Sequence, residues 1–433
     1  MQTVESLYQL FLKHPIICTD TRNIVKDCLF FALKGDNFDA NTFADQALKA
    51  GAAFALIDNS IYNTTDRHIF VADVLTTLQD LARHHRTQLN IPVIGLTGSN
   101  GKTTTKELIK AVLSERYNTF ATYGNLNNHI GVPLSILSIT TETEIAVIEM
   151  GANHQKEIEL LCTIAQPTHG LISNVGMAHL DGFGGFEGVK KGKAELYAWI
   201  RANDGTAFVY ADNKDLMEMS QAAGLEKVIY YGASEANYVS GNLKSSDPLI
   251  ELQWESKQQE YTASANLTGT YNFENILAAI CIGLFFEVPP QQINDGLEGY
   301  HPKNNRSQLT KTDNNNVICD FYNANPSSMS AALENLNHLT AANKVIIIGD
   351  MFELGPESAA QHELIANQAT ALQANTTIFI GKYFYQMKGK VEGLYFESPK
   401  EALEYLTENP IKDSLILLKG SRGMALEQLL PLL

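Results

Sequence analysis

Paired cysteines, a surplus of basic charge and long apolar runs are all missing from this chain. Its five cysteines (Cys18, Cys28, Cys162, Cys281, Cys319) stand singly, with no C-x-x-C pair. That pattern excludes a disulfide frame or a zinc cage and points to reduced thiols in a cytoplasmic protein. Lys plus Arg total 32 against 48 Asp plus Glu, a net charge of −16. Such a chain repels polyanions at long range, so no nucleic acid is expected as a partner, and a phosphorylated ligand needs a local cationic site. No run approaches the ~18 apolar residues of a membrane helix, so no stable membrane insertion is expected. Met1-Gln2-Thr3-Val4-Glu5 lacks the basic start and apolar stretch of a signal peptide. What remains is ordinary globular composition, 45% hydrophobic with 30 Gly and 13 Pro over 433 residues. That length predicts roughly three domains.

The first ninety residues read as a small α/β unit. Apolar runs at Leu29–Leu33 and Ala53–Ile57 flank a helical stretch, Asn41 to Ala50, that ends at Gly51. A second helical stretch, about Val74 to Leu89, stops before the linker Ile91-Pro92. From Val93 the pattern becomes strand, loop, helix, repeated. Strands are expected at Val93–Leu96, Ile145–Glu149, Gly170–Asn174 and Ala207–Tyr210, which implies a mostly parallel sheet covered on both faces. Residues 238–268 alternate at period two and read as an antiparallel edge addition, and helical pattern returns from Asn272 to Phe286. Beyond Gln308 a third series begins. Its strands are expected at Val317–Asp320, Lys344–Ile348, Thr377–Ile380 and Leu415–Leu418, with a helix after each except the third.

Val93-Ile94-Gly95-Leu96 leads into Thr97-Gly98-Ser99-Asn100-Gly101-Lys102-Thr103-Thr104, an apolar strand, a glycine turn and Lys-Thr opening a helix. Backbone N–H groups of such a loop converge on phosphate oxygens, aided by the positive end of the helix dipole. Lys102 then reaches the β- and γ-phosphates and the Thr103 hydroxyl ligates Mg²⁺. Leu96 occupies the place of the first glycine in the general phosphate-loop pattern, and a purely structural strand-to-helix turn is the competing interpretation. Glu149 ends its strand where ligands of parallel sheets bind, and a hard carboxylate there suits Mg²⁺. A helix cap or a salt bridge is the blander role for it. The segment Asn153 to Glu157 is expected to open a helix.

Leu171–Val175 runs into Gly176-Met177-Ala178-His179-Leu180-Asp181, and a helix near Phe186 carries Lys190, Lys191 and Lys193. Alone, His179 reads as a hydrogen-bonded loop histidine and the lysines as a solvated face. Asn272 and Asn275, three apart at a helix start, share one face, with N-capping by Asn272 as the simple alternative.

These strings, in this order, resemble the Mur ligase family, ATP-dependent amino-acid and peptide ligases of cell-wall synthesis related to the folylpolyglutamate synthetases. The short form of the phosphate loop is the family's. The resemblance implies two Mg²⁺ ions, the second at a site where Glu149 is joined by His179 and a carbamylated lysine. Lys193 matches the modified position, with Lys190 or Lys191 as alternative registers. It further implies adenine contact by Asn272 and Asn275, although Tyr271 stands where many members carry His. Arg306 would reach the γ-phosphate, and Asp320 would face the ribose or order the hinge.

The string Asp320-Phe321-Tyr322-Asn323-Ala324-Asn325-Pro326-Ser327-Ser328-Met329 is similar to the branch that adds D-alanyl-D-alanine, as are Ile348–Gly355 and Lys419–Arg422. Tyr322, Asn323 and Asn325 are thereby implied on the substrate side. So is the loop Thr122–Pro133 with Asn125, Asn127 and Asn128. Asp20-Thr21-Arg22 and the segment Phe31–Ala40 with Lys34 and Gly35 look like the UDP-sugar-binding segment. The implied fold class is α/β in three domains. Residues 1–90 form the UDP-sugar domain, 91–308 a central P-loop ATPase-like domain, and 309–433 a C-terminal Rossmann-like ligase domain. The implied reaction is ATP-driven joining of D-alanyl-D-alanine to a UDP-N-acetylmuramoyl-tripeptide through an acyl phosphate, catalysed with Lys102, His179, Lys193 and Arg306, in a monomer. Another ligase of the family, adding a single amino acid, and an ATP-binding regulatory module are the alternatives.

Overall fold

A computed structural model describes residues 3–433; Met1 and Gln2, the start of the segment tested for a signal peptide, lie outside the described residues. Three sheets carry the architecture. Four short parallel strands form the first, in the order 17–18, 29–31, 54–57, 68–70. Its helix is shorter than the sequence suggests. Residues 40–43 form a 3₁₀ turn and only Ala44–Ala50 is α-helical, closed by Gly51 at φ +119°.

The central sheet has nine strands in the order 259–265, 250–256, 239–245, 227–232, 206–210, 169–172, 93–97, 145–149, 119–121. All but two join in parallel. The hairpin additions 250–256 and 259–265 are antiparallel, while 239–245 pairs in parallel with 227–232. The edge addition is therefore antiparallel only from residue 250. The expected strand at 170–174 ends at Ile172: Ser173 N still donates to Thr97 O, but Ser173 Oγ and both oxygens of Asn174 turn to the loop at 98–100. Strand 93–97 is fully buried and apolar, as both-faces-covered parallel strands are. The chain leaves it first to one side (119–121, 145–149) and then to the other (169–172). This is a topological switch point, where open α/β sheets hold ligands beyond their carboxyl ends.

The third sheet runs 308–311, 316–320, 415–419, 344–349, 376–380, 394–396, parallel except for its first strand. That first strand begins at Gln308. A short helix, Lys382–Tyr385, does follow the third expected strand. The fourth is followed by two 3₁₀ segments, Arg422–Met424 and Leu426–Leu432, and not by an α-helix. Pro431 lies inside the second and cannot donate a helical hydrogen bond.

The units are not independent. Helix Val74–Gln88 buries Leu78, Leu81 and Ala82 in the same apolar cluster as Val132, Ile136 and Leu161 of the central unit. Its Arg86 donates from Nε to Ala165 O (3.0 Å) and from Nη2 to Gln166 O (3.1 Å). On the other side Asn335 Nδ2 donates to Thr268 Oγ1 at 3.0 Å, both side chains buried.

Candidate active site

The buried strand 93–97 delivers the chain into two glycines with left-handed or near-mirror backbone. A Cβ on Gly98 (φ +151°) would stand 2.0 Å from Ser173 Oγ, and one on Gly101 (φ +76°) 2.7 Å from Asn275 Oδ1. Only glycine fits either place without displacing a neighbour. Helix Lys102–Ser114 then starts directly at the turn. Neighbouring loops pin it: Ser99 N donates to Asn174 O (3.0 Å), Asn100 N to Asn174 Oδ1 (2.9 Å), and Ser173 Oγ to Asn100 O (2.7 Å). Lys102 folds over the turn and donates from Nζ to Gly98 O (2.7 Å) and Ser99 O (3.1 Å). Burial lowers its pKa to about 8; the Glu149 charge opposes that shift and Arg306 adds to it.

Glu149 ends strand 145–149 and is buried. Its Oε1 accepts from Asn127 Nδ2 (2.8 Å) and Thr103 Oγ1 (3.3 Å). Its Oε2 lies 4.0 Å from Lys106 Nζ and has no hydrogen-bond partner. A buried carboxylate oxygen left unpaired is costly, and an oxygen-seeking divalent cation shared with Thr103 relieves that cost. The donor set therefore fits Mg²⁺. Among the described residues no group of three or more His, Cys, Asp or Glu side chains could hold a metal alone. Oxygens from outside the protein would complete the shell.

His179 sits at φ +54° ahead of the short helix Leu180–Phe183, and its Nδ1 meets Glu353 Oε2 of the C-terminal unit. Burial lowers its pKa, Glu353 opposes that, and the Lys102 and Lys193 charges reinforce it. Lys193, on helix Phe186–Ala202, is 2% exposed. Its Nζ donates to Ala152 O (3.3 Å) and lies 5.1 Å from the Phe183 ring centre. Burial, with Lys102 nearby, drives its pKa well below the usual lysine range. By contrast Lys190 is paired with Asp215 at 2.5 Å, and Lys191 is exposed.

Asn272 does not cap helix Phe273–Phe285 with its side chain. Its Nδ2 donates to Thr268 O (2.8 Å), while Asn275 Nδ2 donates to Asn272 Oδ1 (2.9 Å) and Thr105 Oγ1 to Asn275 Oδ1 (2.9 Å). Together they buttress the phosphate-loop helix. Arg306 stacks 4.0 Å from the Tyr322 ring centre, and its buried Nε has no partner. Asp320 is held by Lys419 Nζ (2.7 Å) and by Ser307 N (3.3 Å). Across the cleft Asn325 Nδ2 donates to Asn100 Oδ1 (2.8 Å), and Met177 N to Ser327 Oγ (2.9 Å).

One cleft of about 1010 Å³ gathers most of the expected residues: Ser99 to Thr104, Asn125, Asn127, Asn128, Glu149, His179, Asn272, Asn275, Arg306, Asp320, Tyr322, Asn323 and Asn325. Thr97, Gly98 and Lys193 lie behind its wall. The first unit's residues do not reach it. There Arg22 pairs with Asp20 (2.6 Å) on an exposed face, Thr21 opens the short turn they close, and Lys34, beside Gly35, pairs with Asp58 (2.7 Å). Sequence reasoning gave no role to Lys106, Asn174, Glu274, Glu353 or Lys419. Glu353 and Lys419 stood inside recognised strings, but only folding brings Glu353 to His179, 174 residues away.

The chain's own comparisons agree with this geometry. Residues 96–283 match the Mur ligase middle domain and residues 305–422 the Mur ligase, glutamate ligase domain. The chain belongs to the Mur ligase family. More particularly, it is 36% identical to the UDP-N-acetylmuramoyl-tripeptide–D-alanyl-D-alanine ligases of Bacillus subtilis and Escherichia coli, each match covering 95% of this chain and 92% of the relative. Among solved structures it is similar to MurF from Acinetobacter baumannii (TM-score 0.86, 32% identity, 96% of this chain and 92% of that one). It also resembles the MurF ligase of Thermotoga maritima in complex with ADP (TM-score 0.85, 26% identity, 100% and 98%).

Proposed function

We propose that this chain is the ATP-dependent ligase that joins D-alanyl-D-alanine to UDP-N-acetylmuramoyl-tripeptide, giving the pentapeptide, ADP and phosphate in peptidoglycan synthesis. The observation that carries the reading is the single cleft in which the phosphate loop, the half-satisfied Glu149, Arg306 and the 320–328 segment of the C-terminal unit meet. Full-length relatives of that activity in two organisms support the choice of substrates. In a bacterial cell this is a cytoplasmic step that serves cell shape and division, and we assign it to the monomer.

The reaction begins with the tripeptide's terminal carboxylate attacking the γ-phosphorus, so that ADP leaves and an acyl phosphate forms. The dipeptide amine then attacks the acyl carbon, and phosphate leaves with its bonding pair. The obstacle is bringing a carboxylate to a polyanion: two unit charges 4 Å apart cost about 4 kcal/mol at an effective dielectric of 20. Lys102, swung from its loop carbonyls onto the phosphates, and Arg306 offset that repulsion and favour charge on the transferring group. Thr103 and Glu149 would hold one Mg²⁺, and His179 with a carbamylated Lys193 the other; the ions neutralise phosphate charge. Burial shifts Lys193 toward the neutral amine, the form that adds CO₂ with release of a proton and leaves an anionic oxygen donor. Asn272 and Asn275 hold the nucleoside side, Asp320 the ribose, and Asn125, Asn127, Asn128, Tyr322, Asn323 and Asn325 the peptide side. Residues 1–90, through Asp20, Thr21, Arg22, Lys34 and Gly35, take the UDP-sugar. Contacts of the 309–433 unit with the loop exclude water from the acyl phosphate.

Phosphate release assayed with each substrate omitted in turn tests the reading. Release that requires both UDP-muramoyl-tripeptide and D-alanyl-D-alanine is expected. Release with a single amino acid in place of the dipeptide points to another ligase of the family, and turnover of ATP alone to a regulatory module.

A further inference from the structure

We propose that Glu353 positions His179 as a metal ligand, accepting from its Nδ1 so that Nε2 is presented to the second Mg²⁺. This rests on the assignment of His179 to that ion in the function proposed above and adds a positioning residue to it. An ionised carboxylate can only accept a hydrogen bond. Its contact with Glu353 Oε2 therefore places the proton of the neutral imidazole on Nδ1 and the lone pair on Nε2. Nε2 has no protein partner among the described residues, and both His179 and Glu353 line the cleft. A ligating histidine whose other ring nitrogen donates to a carboxylate is held in one tautomer and one orientation, and binds its ion more strongly.

The loop that carries Glu353 is fastened for this reach. Each of the three residues before it is tied to a different element. Buried Asp350 accepts from Tyr383 N (3.0 Å) and Phe384 N (2.9 Å), Met351 N donates to His362 Nε2 (3.0 Å), and Phe352 N donates to Ser421 Oγ (3.1 Å). His362 is fixed in turn by donating from Nδ1 to Ser358 O (2.7 Å). Glu353 then stands at φ +61° and His179 at φ +54°, left-handed backbone that is uncommon outside glycine and clusters at functional sites. The two loops also approach closely, since a Cβ on Gly355 (φ +53°) would stand 2.9 Å from Asp181 Oδ1. Stability does not account for such placement. The Glu353 side chain is 60% exposed, and an ion pair that open to solvent adds little to folding. Aiming the ring does account for it. Because the carboxylate comes from another unit, His179 is aimed only while the two units are docked.

The test is Mn²⁺ binding to the full-length protein, with a non-hydrolysable ATP analogue and bicarbonate present, read by pulsed EPR in wild type, H179A, E353A and E353Q. Wild type is expected to show coupling of Mn²⁺ to an imidazole nitrogen, and H179A to lose it. E353A should lose most of that coupling and bind the second Mn²⁺ about 10–100-fold more weakly, with the first ion unchanged. E353Q still offers Nδ1 an oxygen acceptor, so it should keep the coupling at an intermediate affinity. Full coupling and an unchanged second ion in E353A overturn the proposal and leave Glu353 a docking contact between units. Coupling that is absent from wild type, or that survives in H179A, overturns the assignment of His179 to the ion, and this proposal with it.

Discussion

Glu149 has one oxygen engaged by Asn127 and Thr103 and the other unpaired in the interior. Glu149→Gln keeps the shape and removes the charge, so phosphate release should fall about 10²–10³-fold, while the melting temperature holds or rises as the cost of burying the charge disappears. Unchanged release would remove Glu149 from the reaction. Gly101→Ala puts a methyl against Asn275 Oδ1 on a left-handed backbone, which should destabilise the fold by about 1–3 kcal/mol in denaturant titration. Glu274 makes stability depend on pH. Burial raises its carboxyl from 4.5 to about 7, against the hydrogen bond from Asn174. Its contribution is complete below about 4.5 and is lost as pH rises through about 7. Between pH 5 and 8.5 wild type should lose up to about 3 kcal/mol relative to Glu274→Gln. Parallel stability curves would contradict this.

At the scale of elements, Asn325 does two jobs. Its Oδ1 caps helix Pro326–His338 through Ser328 N (2.9 Å), and its Nδ2 ties that helix to Asn100 of the phosphate loop. Asn325→Ala should cost about 1 kcal/mol in stability from the lost cap and raise the KM for ATP; Asn325→Asp keeps the cap and isolates the kinetic effect. A KM unchanged in both would mean that the tie does nothing for nucleotide binding. Elements of this kind differ in how far the sequence announces them. The phosphate loop and the Asn325 cap are local, because glycine, Lys-Thr and Asn-Pro carry their geometry in a few adjacent residues. Strands such as 119–121 at the sheet edge and 227–232 within the sheet carry no clear signal, since a short or half-buried strand has no distinctive period. The 3₁₀ ending after 415–419 went unread because Pro431 acts late in an otherwise helical apolar pattern. The His179–Glu353 contact belongs to neither segment's pattern and arises only when two units dock.

For the whole molecule, the apolar cluster that joins helix Val74–Gln88 to the central unit matters more than any boundary drawn at residue 90. Leu81 is fully buried in it, so Leu81→Ala should cost about 2–5 kcal/mol and lower a single calorimetric transition shared by the first two units. The transition of residues 309–433 should stay in place; separate melting of residues 1–90 would overturn the shared core. On the proposed function that seam would also serve as a ruler. With helix Val74–Gln88 packed into the central unit, a substrate held at its sugar end by residues 1–90 would have one length at which its free carboxyl meets the triphosphate, so the scaffold would measure the count of amino acids before any side chain is recognised.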